Sequence, residues 1–426
     1  MPTTSPLYRA IAAAGVPLVP LALRDTRQRA GHTARIAAPA ALEAWARAHR
    51  DPNSQLAWFH ASSVGEGLQA KAVLQAFRSR QPTTQVIYTH FSPSAADLAA
   101  GIGADWAGYL PYDRPADVGR ALRAIRPDLL VFTKLDLWPE LSTQAHAAGT
   151  RVAMVAGTVA PGSGRLRWPV CALTAPGYRV LDVIGAIAAD DAERLVQLGC
   201  AEDRITITGD PRIDSVLDLV ESSGIATSPV QLGDPSRVLV AGSTWPGDEA
   251  VLLEAFGAVH QRHPDARLIL VPHEPTLAHL LHIEAAAVHG AIRAPVLLGS
   301  LNEGDQPEVL VVDRVGLLAR LYAAGSLAYV GGGFGRAGIH SVLEPAAWAR
   351  PVIIGPNDRG SRDAAMLERT GALTRLPLHD PVQSLVERWN AWLDDPDGCT
   401  RAGVAAKTAL GADRGAAVRS AELLGT

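Results

Sequence analysis

Residues 56–80 read LAWFHASSVGEGLQAKAVLQAFRSR. LAWFHA is a short apolar run of the length expected for a strand buried on both faces, and GEGLQAKAVLQAFRSR carries a helical period. Two parallel strands of one sheet need such a crossover, because the chain must return before it can pair in the same direction. The alternation continues through QVIYTH, a helix near 93–101, GYLPY, a helix near 115–125, DLLVFTK, RVAMVAG, VIGAIAA, a helix at 190–198 and ITITG. Residues 221–236 (ESSGIATSPVQLGDPS) lose the period and gain Ser, Gly and Pro, the composition of a linker. A second series follows: RVLVAG, a helix at 247–262, RLILVP, a helix at 275–289, VLLG, EVLVVD, a helix at 314–323, LAYVGG, a helix at 340–348 and PVIIGP.

The expected fold class is therefore α/β, with two doubly wound Rossmann-like domains. The expected boundaries are 1–220, a linker at 221–236, 237–405, and a terminal helix at 406–426. Ligands of such sheets bind beyond the carboxyl ends of the strands, so the cleft between the domains is the expected site.

Composition narrows the function. With 39 basic and 43 acidic side chains the net charge is −4, which excludes a generally basic nucleic-acid binder. Hydrophobic residues at 48% and charged residues at 19% exclude disorder. Cys171, Cys200 and Cys399 are far apart and form no CxxC, which argues against a disulfide scaffold or a cysteine-rich zinc site. Ala10–Leu23 (AIAAAGVPLVPLAL) is uncharged and flanked by Arg9 and by Arg24, Arg27 and Arg29. It falls short of the roughly 20 apolar residues a spanning helix needs, and Pro17 and Pro20 are expected to break it. Two readings stay open: an interfacial segment over about 7–30, its arginines on anionic head groups, or a buried first helix.

Four motifs carry chemistry. In His60-Ala-Ser-Ser-Val-Gly-Glu66-Gly, Ser63 and Glu66 have the spacing of a capping box. The alternative is a carboxylate placed at the mouth of the sheet to accept a proton, with Gly65 and Gly67 letting a ligand approach. Thr133-Lys134-Leu-Asp136-Leu-Trp138-Pro139-Glu140 suits a polar substrate with anionic groups, or a surface turn anchored by its Trp. Residues 157–168 (GTVAPGSGRLRW) offer Arg165 and Arg167 to phosphates, or are a solvated loop. LAYVGGGFGRAGIHSVLEPA at 327–346 contains GxGxxG in Gly333, Gly335 and Gly338, with Asp358 20 residues on. Its place late in the second series and Glu344-Pro345 in the following helix count against a dinucleotide. A turn that holds one phosphate fits better. Arg212, the Ser243-Thr244 turn and Pro272-His273-Glu274-Pro275 each follow a strand, toward the same end of a sheet. No zinc-ligand spacing is present, and no metal or cofactor is expected.

The ordered set HASSVGEG, LDLWPE, GDPRIDSV, GSTWPGDE, VPHEP and GIHSVLEPAAWARPVIIGP resembles the 3-deoxy-D-manno-octulosonic acid (Kdo) transferases of lipopolysaccharide assembly, from Leu7 to about residue 370. The resemblance implies a GT-B fold and inverting, metal-independent transfer of Kdo from CMP-Kdo to the 6′-hydroxyl of a lipid A precursor, at the cytoplasmic face of the inner membrane. It implies that the amino-terminal apolar segment meets that membrane, and that no nucleic acid is bound. Glu66 matches the general base, and Asp136 the acidic residue before Leu-Trp-Pro, commonly Glu in the family. Arg212, Ser243, Thr244, His273 and Glu344 match donor-binding stretches, together with Gly332, Gly333, Gly338, His340 and Ser341 of the Gly-rich turn. Ser63, Gly65, Lys134, Arg165 and Arg167 are expected toward the acceptor. Two departures stand out: His340-Ser341 where many members have His-Asn, and Lys134 where an acid is common. On this reading, loop N–H groups at 332–340 and the Arg212 cation steady the departing CMP phosphate. The rivals are another GT-B transferase using a UDP-sugar and a lipid-linked acceptor, a non-catalytic nucleotide-sugar binder, and a dinucleotide oxidoreductase.

Overall fold

The computed structural model describes residues 3–23, 25–223, 228–289 and 292–425. Arg24, four residues of the expected linker (224–227) and Thr426 of the expected terminal helix lie outside the described residues. The chain divides into two units, Met1–Ser215 with Arg414–Thr426, and Val216–Asp413.

The first unit holds seven parallel strands: β1 (Leu56–His60), β2 (Gln85–His90), β3 (Trp106–Tyr109), β4 (Leu129–Thr133), β5 (Arg151–Gly157), β6 (Val183–Ala186) and β7 (Ile205–Ile207), in the spatial order β3-β2-β1-β4-β5-β6-β7. Alternate residues serve opposite faces. Trp58, Leu130, Phe132 and Met154 enter one core, and Phe59, Val131 and Val155 the other. All seven are fully buried. Helices cover both faces, so each strand is apolar throughout rather than alternating.

The second unit repeats the plan with β8 (Val238–Thr244), β9 (Arg267–Pro272), β10 (Val296–Leu297), β11 (Val309–Val311), β12 (Leu327–Val330), β13 (Val352–Ile354) and β14 (Leu373–Arg375), in the order β10-β11-β9-β8-β12-β13-β14. Its core gathers Leu239, Leu268, Leu270, Val311 and Tyr329 against Phe256 and Trp389.

Three expectations are corrected. The unit boundary, between Ser215 and Val216, falls inside the helix Pro211–Ser223 and ahead of the Ser/Gly/Pro-rich stretch. The terminal helix is two helices, Pro396–Ala412 and Ala416–Gly425, and the second belongs to the first unit. There Arg151 donates to the Leu423 and Leu424 carbonyls, and Asp214 accepts from the Gly415 and Ala417 N–H groups. Finally, a single helix, Pro6–Ala22, runs through Pro17 and Pro20.

That helix starts under polar control. Ser5 caps it, the Tyr8 hydroxyl donates to Asp113 at 2.6 Å, and Arg9 and Thr4 both reach Glu140. Val16 is its one buried residue, whereas Leu7, Ile11, Leu18 and Leu21 are exposed. The buried-first-helix reading is thus overturned. No described helix is long and apolar enough to cross a membrane.

Candidate active site

In each unit the carboxyl ends of the strands carry the predicted motifs, and in each the two strands flanking the reversal of strand order are bridged by one Trp–His hydrogen bond. In the first unit the reversal lies between β1 and β4. Trp138 follows β4 and stands immediately before the helix Pro139–Ala147, whose Pro occupies the first turn. Its indole Nε1–H donates to Nε2 of His60, the last residue of β1, at 3.1 Å. An indole only donates, so His60 Nε2 presents its lone pair and the ring proton lies on Nδ1, which faces the Thr89 carbonyl at 3.0 Å. His60 is fully buried. Trp138 packs on Phe91, 4.8 Å between ring centres, and the Arg35 guanidinium lies 4.2 Å over Phe91 on its other contact.

Around this bridge sit the predicted residues. The capping box forms: Glu66 Oε2 accepts from the Ser63 N–H at 3.1 Å and from the Ser63 hydroxyl at 2.9 Å, at the N-terminus of the helix Val64–Arg80. The other oxygen, Oε1, lies 4.0 Å from Lys134 Nζ, and the carboxylate keeps 18% of its side-chain surface exposed. One oxygen is thus committed to the helix end and the other is turned toward a cation. Lys134 holds φ +63°, a left-handed conformation that costs a non-glycine residue free energy and turns the chain sharply out of β4. Asp136 Oδ2 is buried without a hydrogen-bond donor, 3.3 Å from His60 Nε2, while Oδ1 lies 3.9 Å from Arg165. Asp136 Oδ2 thus faces the His60 ring without a donor of its own. Arg167 is exposed on the same loop as Arg165.

Gly65 faces open space, as an approach route requires. Gly67 does not: a Cβ there would stand 2.5 Å from Leu98, so that glycine serves packing. Arg212, expected beside the donor phosphate, belongs to the first unit and grips Asp210, with Nε 2.8 Å from Oδ2. Burial opposes the Asp210 charge, but Arg212 and Gln69 together hold its carboxyl below the usual range.

Asp113 was not visible as a site residue. It caps the Trp-Pro helix from a distance, accepting from the Glu140 and Leu141 N–H groups at 2.8 and 2.9 Å as well as from Tyr8. Burial pushes its carboxyl up to about 6, against those three donors.

In the second unit the reversal lies between β8 and β12. Trp245 ends the turn after β8 and its Nε1–H donates to His340 Nε2 at 3.2 Å, in the loop after β12. His273, exposed at the end of β9, lies between Trp245 (4.8 Å) and His340 (4.4 Å) as a stacked layer. Burial, and then the neighbouring His273, push the His340 imidazole down to about 4. It is a neutral ring with its proton on Nδ1.

Asp248 organises the turn. It accepts from the Trp245 N–H, the Gly332 N–H and the Tyr329 hydroxyl, and burial raises its carboxyl above the usual range. The Gly-rich loop is shaped by contact rather than by open N–H groups. Gly332 (φ +97°) gives its N–H to Asp248, a Cβ on Gly333 would collide with Gly355, and Gly338 has φ +82°. The N–H groups of Gly335 and His340 are also taken, by the Gly332 and Gly331 carbonyls. Of the N–H groups expected to cradle a phosphate over 332–340, these three close the loop instead. The helix after it is short, Leu343–Ala347, with Glu344 half-buried in its first turn and the Ser341 hydroxyl capping Leu343.

Thr244 is fully buried and its hydroxyl donates to Glu249 Oε1 at 2.8 Å, a carboxylate also held by His279, so it supports the turn while Ser243 (φ +54°) is half-exposed on it. Asp358, the acid a dinucleotide ribose would need, pairs instead with Arg375 at 2.8 Å.

Trp138, His60, Trp245 and Asp248 are the functional residues that motif reading passed over. The available signal was Trp-Pro ahead of a helix, at Trp138-Pro139 and Trp245-Pro246, although Trp168-Pro169 shares it.

A family model described as 3-Deoxy-D-manno-octulosonic-acid transferase (kdotransferase) matches residues 26–215. Over 414 residues the chain is 29% identical to a 3-deoxy-D-manno-octulosonic acid transferase of Bordetella pertussis, covering 90% of this chain and 94% of that one. It is 25% identical to the protein of the same description from Haemophilus influenzae, covering 88% and 87%. Among solved structures, UDP-GlcNAc 2-epimerase from Neisseria meningitidis aligns with TM-score 0.59 at 13% identity, covering 82% of this chain and 94% of that one. A glycosyltransferase from Rickettsia africae aligns with TM-score 0.55 at 10% identity, covering 87% and 97%. At such identities the likeness shows the fold alone, a GT-B pair of Rossmann-like domains.

Proposed function

We propose, on the strength of its similarity to the 3-deoxy-D-manno-octulosonic acid transferases, that this chain transfers Kdo from CMP-Kdo to the 6′-hydroxyl of a lipid A precursor, with inversion and without a metal. The acceptor is met at the cytoplasmic face of the inner membrane, where the helix Pro6–Ala22 lays its exposed Leu7, Ile11, Leu18 and Leu21 into the lipid surface.

The observation that carries this reading is the divided carboxylate of Glu66. Oε2 is fixed by Ser63 at a helix N-terminus, which favours its charge, and Oε1 is left toward Lys134 at the mouth of the sheet. A base so held can take the acceptor hydroxyl proton as the hydroxyl attacks the anomeric carbon. Asp136, with Oδ1 3.9 Å from Arg165 and its side chain 15% exposed, is the second carboxylate at this end of the sheet and helps to hold the attacking group in line. Lys134, Arg165 and Arg167 provide positive charge for acceptor phosphate or the sugar carboxylate. The second unit supplies a stacked aromatic surface, Trp245–His273–His340, for the planar part of the donor.

CMP release from freshly made CMP-Kdo, measured with and without a tetraacylated lipid A precursor, tests the reading. Acceptor-dependent release that Glu66→Gln loses while staying folded is expected. No release from wild type in detergent, with intact donor, would overturn it and direct attention to UDP-sugars.

A further inference from the structure

Residues 160–170 read APGSGRLRWPV and form the turn between β5 and the helix Val170–Arg179. Trp168 stands at its tip with 82% of its surface exposed, and the adjoining Val170 is 42% exposed. A tryptophan left this open is unusual for a side chain that buries a large apolar area whenever it can. Its neighbours decide what covers it. Arg165 and Arg167 flank it, and no Asp or Glu occurs anywhere from Leu141 to Leu181. Another exposed apolar element of this unit has the same signature: the helix Pro6–Ala22 shows Leu7, Ile11, Leu18 and Leu21, carries Arg9, and no acid precedes Asp25.

The two elements share one support. The helix start is tied to Glu140 through Thr4 and Arg9, and to the cap of the helix Pro139–Ala147 through Tyr8 and Asp113. The turn reaches the same place from the other side of the chain: Arg165 lies 3.9 Å from Asp136, and its charge offsets part of the burial of the Tyr8 hydroxyl. Indole at a water–lipid boundary with arginines beside it and no acid is the composition of an interfacial anchor, its ring at head-group depth and its cations on anionic lipid.

We infer that the Trp168 turn is a second lipid-surface anchor, which with the helix Pro6–Ala22 brackets Asp136 and Lys134 and holds that site level with the head groups. The inference rests on the membrane-facing reading of the helix given above, and commits to the bilayer surface rather than to the acceptor lipid. Two attachments fix an orientation where one fixes only a tether.

The full chain is tested by flotation with phosphatidylethanolamine–phosphatidylglycerol vesicles and with phosphatidylcholine vesicles. Trp168→Ser is expected to lower partition onto the anionic vesicles by about 5- to 10-fold, with Trp168→Phe recovering part of it. Its melting temperature should match wild type, since the side chain is exposed. Unchanged partition of Trp168→Ser, alongside loss in Leu18→Ser/Leu21→Ser, would overturn the inference and leave the helix reading intact. A raised acceptor KM without any change in partition would also overturn it, by assigning Trp168 to the substrate. Failure of wild type to bind either vesicle would remove both readings.

Discussion

The two units solve one problem, closing the crevice where the strand order of a parallel sheet reverses, with the same bond and opposite chemistry. In the first, Trp138 after β4 donates to His60 on β1; in the second, Trp245 after β8 donates to His340 after β12. Each indole precedes a Pro-initiated helix, and each of those helices has a buried carboxylate on its first turn, Asp113 from a distant loop and Asp248 from the helix itself. What surrounds the bridge differs. Glu66, Asp136, Lys134 and Arg165 cluster about the first, whereas His273 and closed glycine turns line the second. The bond is therefore scaffold, and what separates the two surfaces is the charge placed around it.

The largest effect should come from the charged side of that comparison. Glu66→Gln should lower kcat by about 10²- to 10⁴-fold, the usual yield of a general base, while the melting temperature stays near wild type because Gln also serves a capping box. Retained turnover would reduce Glu66 to a helix cap and erase the contrast between the units. Removing each bridge in turn sharpens it. Trp245→Phe should raise donor KM by about 10-fold with kcat little changed, and Trp138→Phe should do the reverse, each costing about 1 kcal/mol in a denaturation series for one lost hydrogen bond. Equal effects on both constants from both variants would show that the bridges are not specialised.

Lys134→Glu should raise acceptor KM by roughly 5-fold, as expected for an exposed charge, and shift the acid limb of the pH–rate profile upward, because a like charge near Glu66 disfavours its ionised form. Unchanged acceptor kinetics would sink the assignment of Lys134 to the acceptor. The smallest effect is in stability against pH, and the two units should differ in sign. Asp113 sits at about 6, above an unfolded value near 3.8, so its contribution is complete below that lower value and is lost as pH rises through about 6. His340 sits at about 4, below its unfolded 6.5, so its contribution is lost as pH falls from about 6.5 toward about 4. Melting curves of Asp113→Asn and His340→Asn across pH 4–7 should diverge from wild type in opposite directions; parallel curves would remove the distinction.

Much of this was legible in the order of residues. Apolar runs of strand length alternating with helical periods predict two doubly wound sheets, since only both-face burial makes Leu56–His60 or Val238–Thr244 apolar throughout. The helix Pro115–Ile125 matches its expected span because its first-turn proline and amphipathic stripe are local. The partners of Thr244 and Arg212 were not legible because a hydroxyl or guanidinium after a strand looks the same whether it turns to solvent or to a buried carboxylate such as Glu249 or Asp210. The two glycines beside Glu66 look equivalent for the same reason; only the packing of Leu98 separates Gly67 from Gly65.

The sequence alone determined the class of fold, the resemblance to a family and the capping-box position of Glu66, because periodicity, capping and motif spacing are properties of neighbours along the chain. Only the tertiary structure decided that Trp138 reaches His60 across 78 residues, that Asp113 caps a helix 27 residues away, and that the last helix returns to the first unit. Those pairings rest on directional hydrogen bonds made in buried surroundings, and which distant donor meets which acceptor is settled by how the helices pack on the sheet, not by anything either residue carries alone.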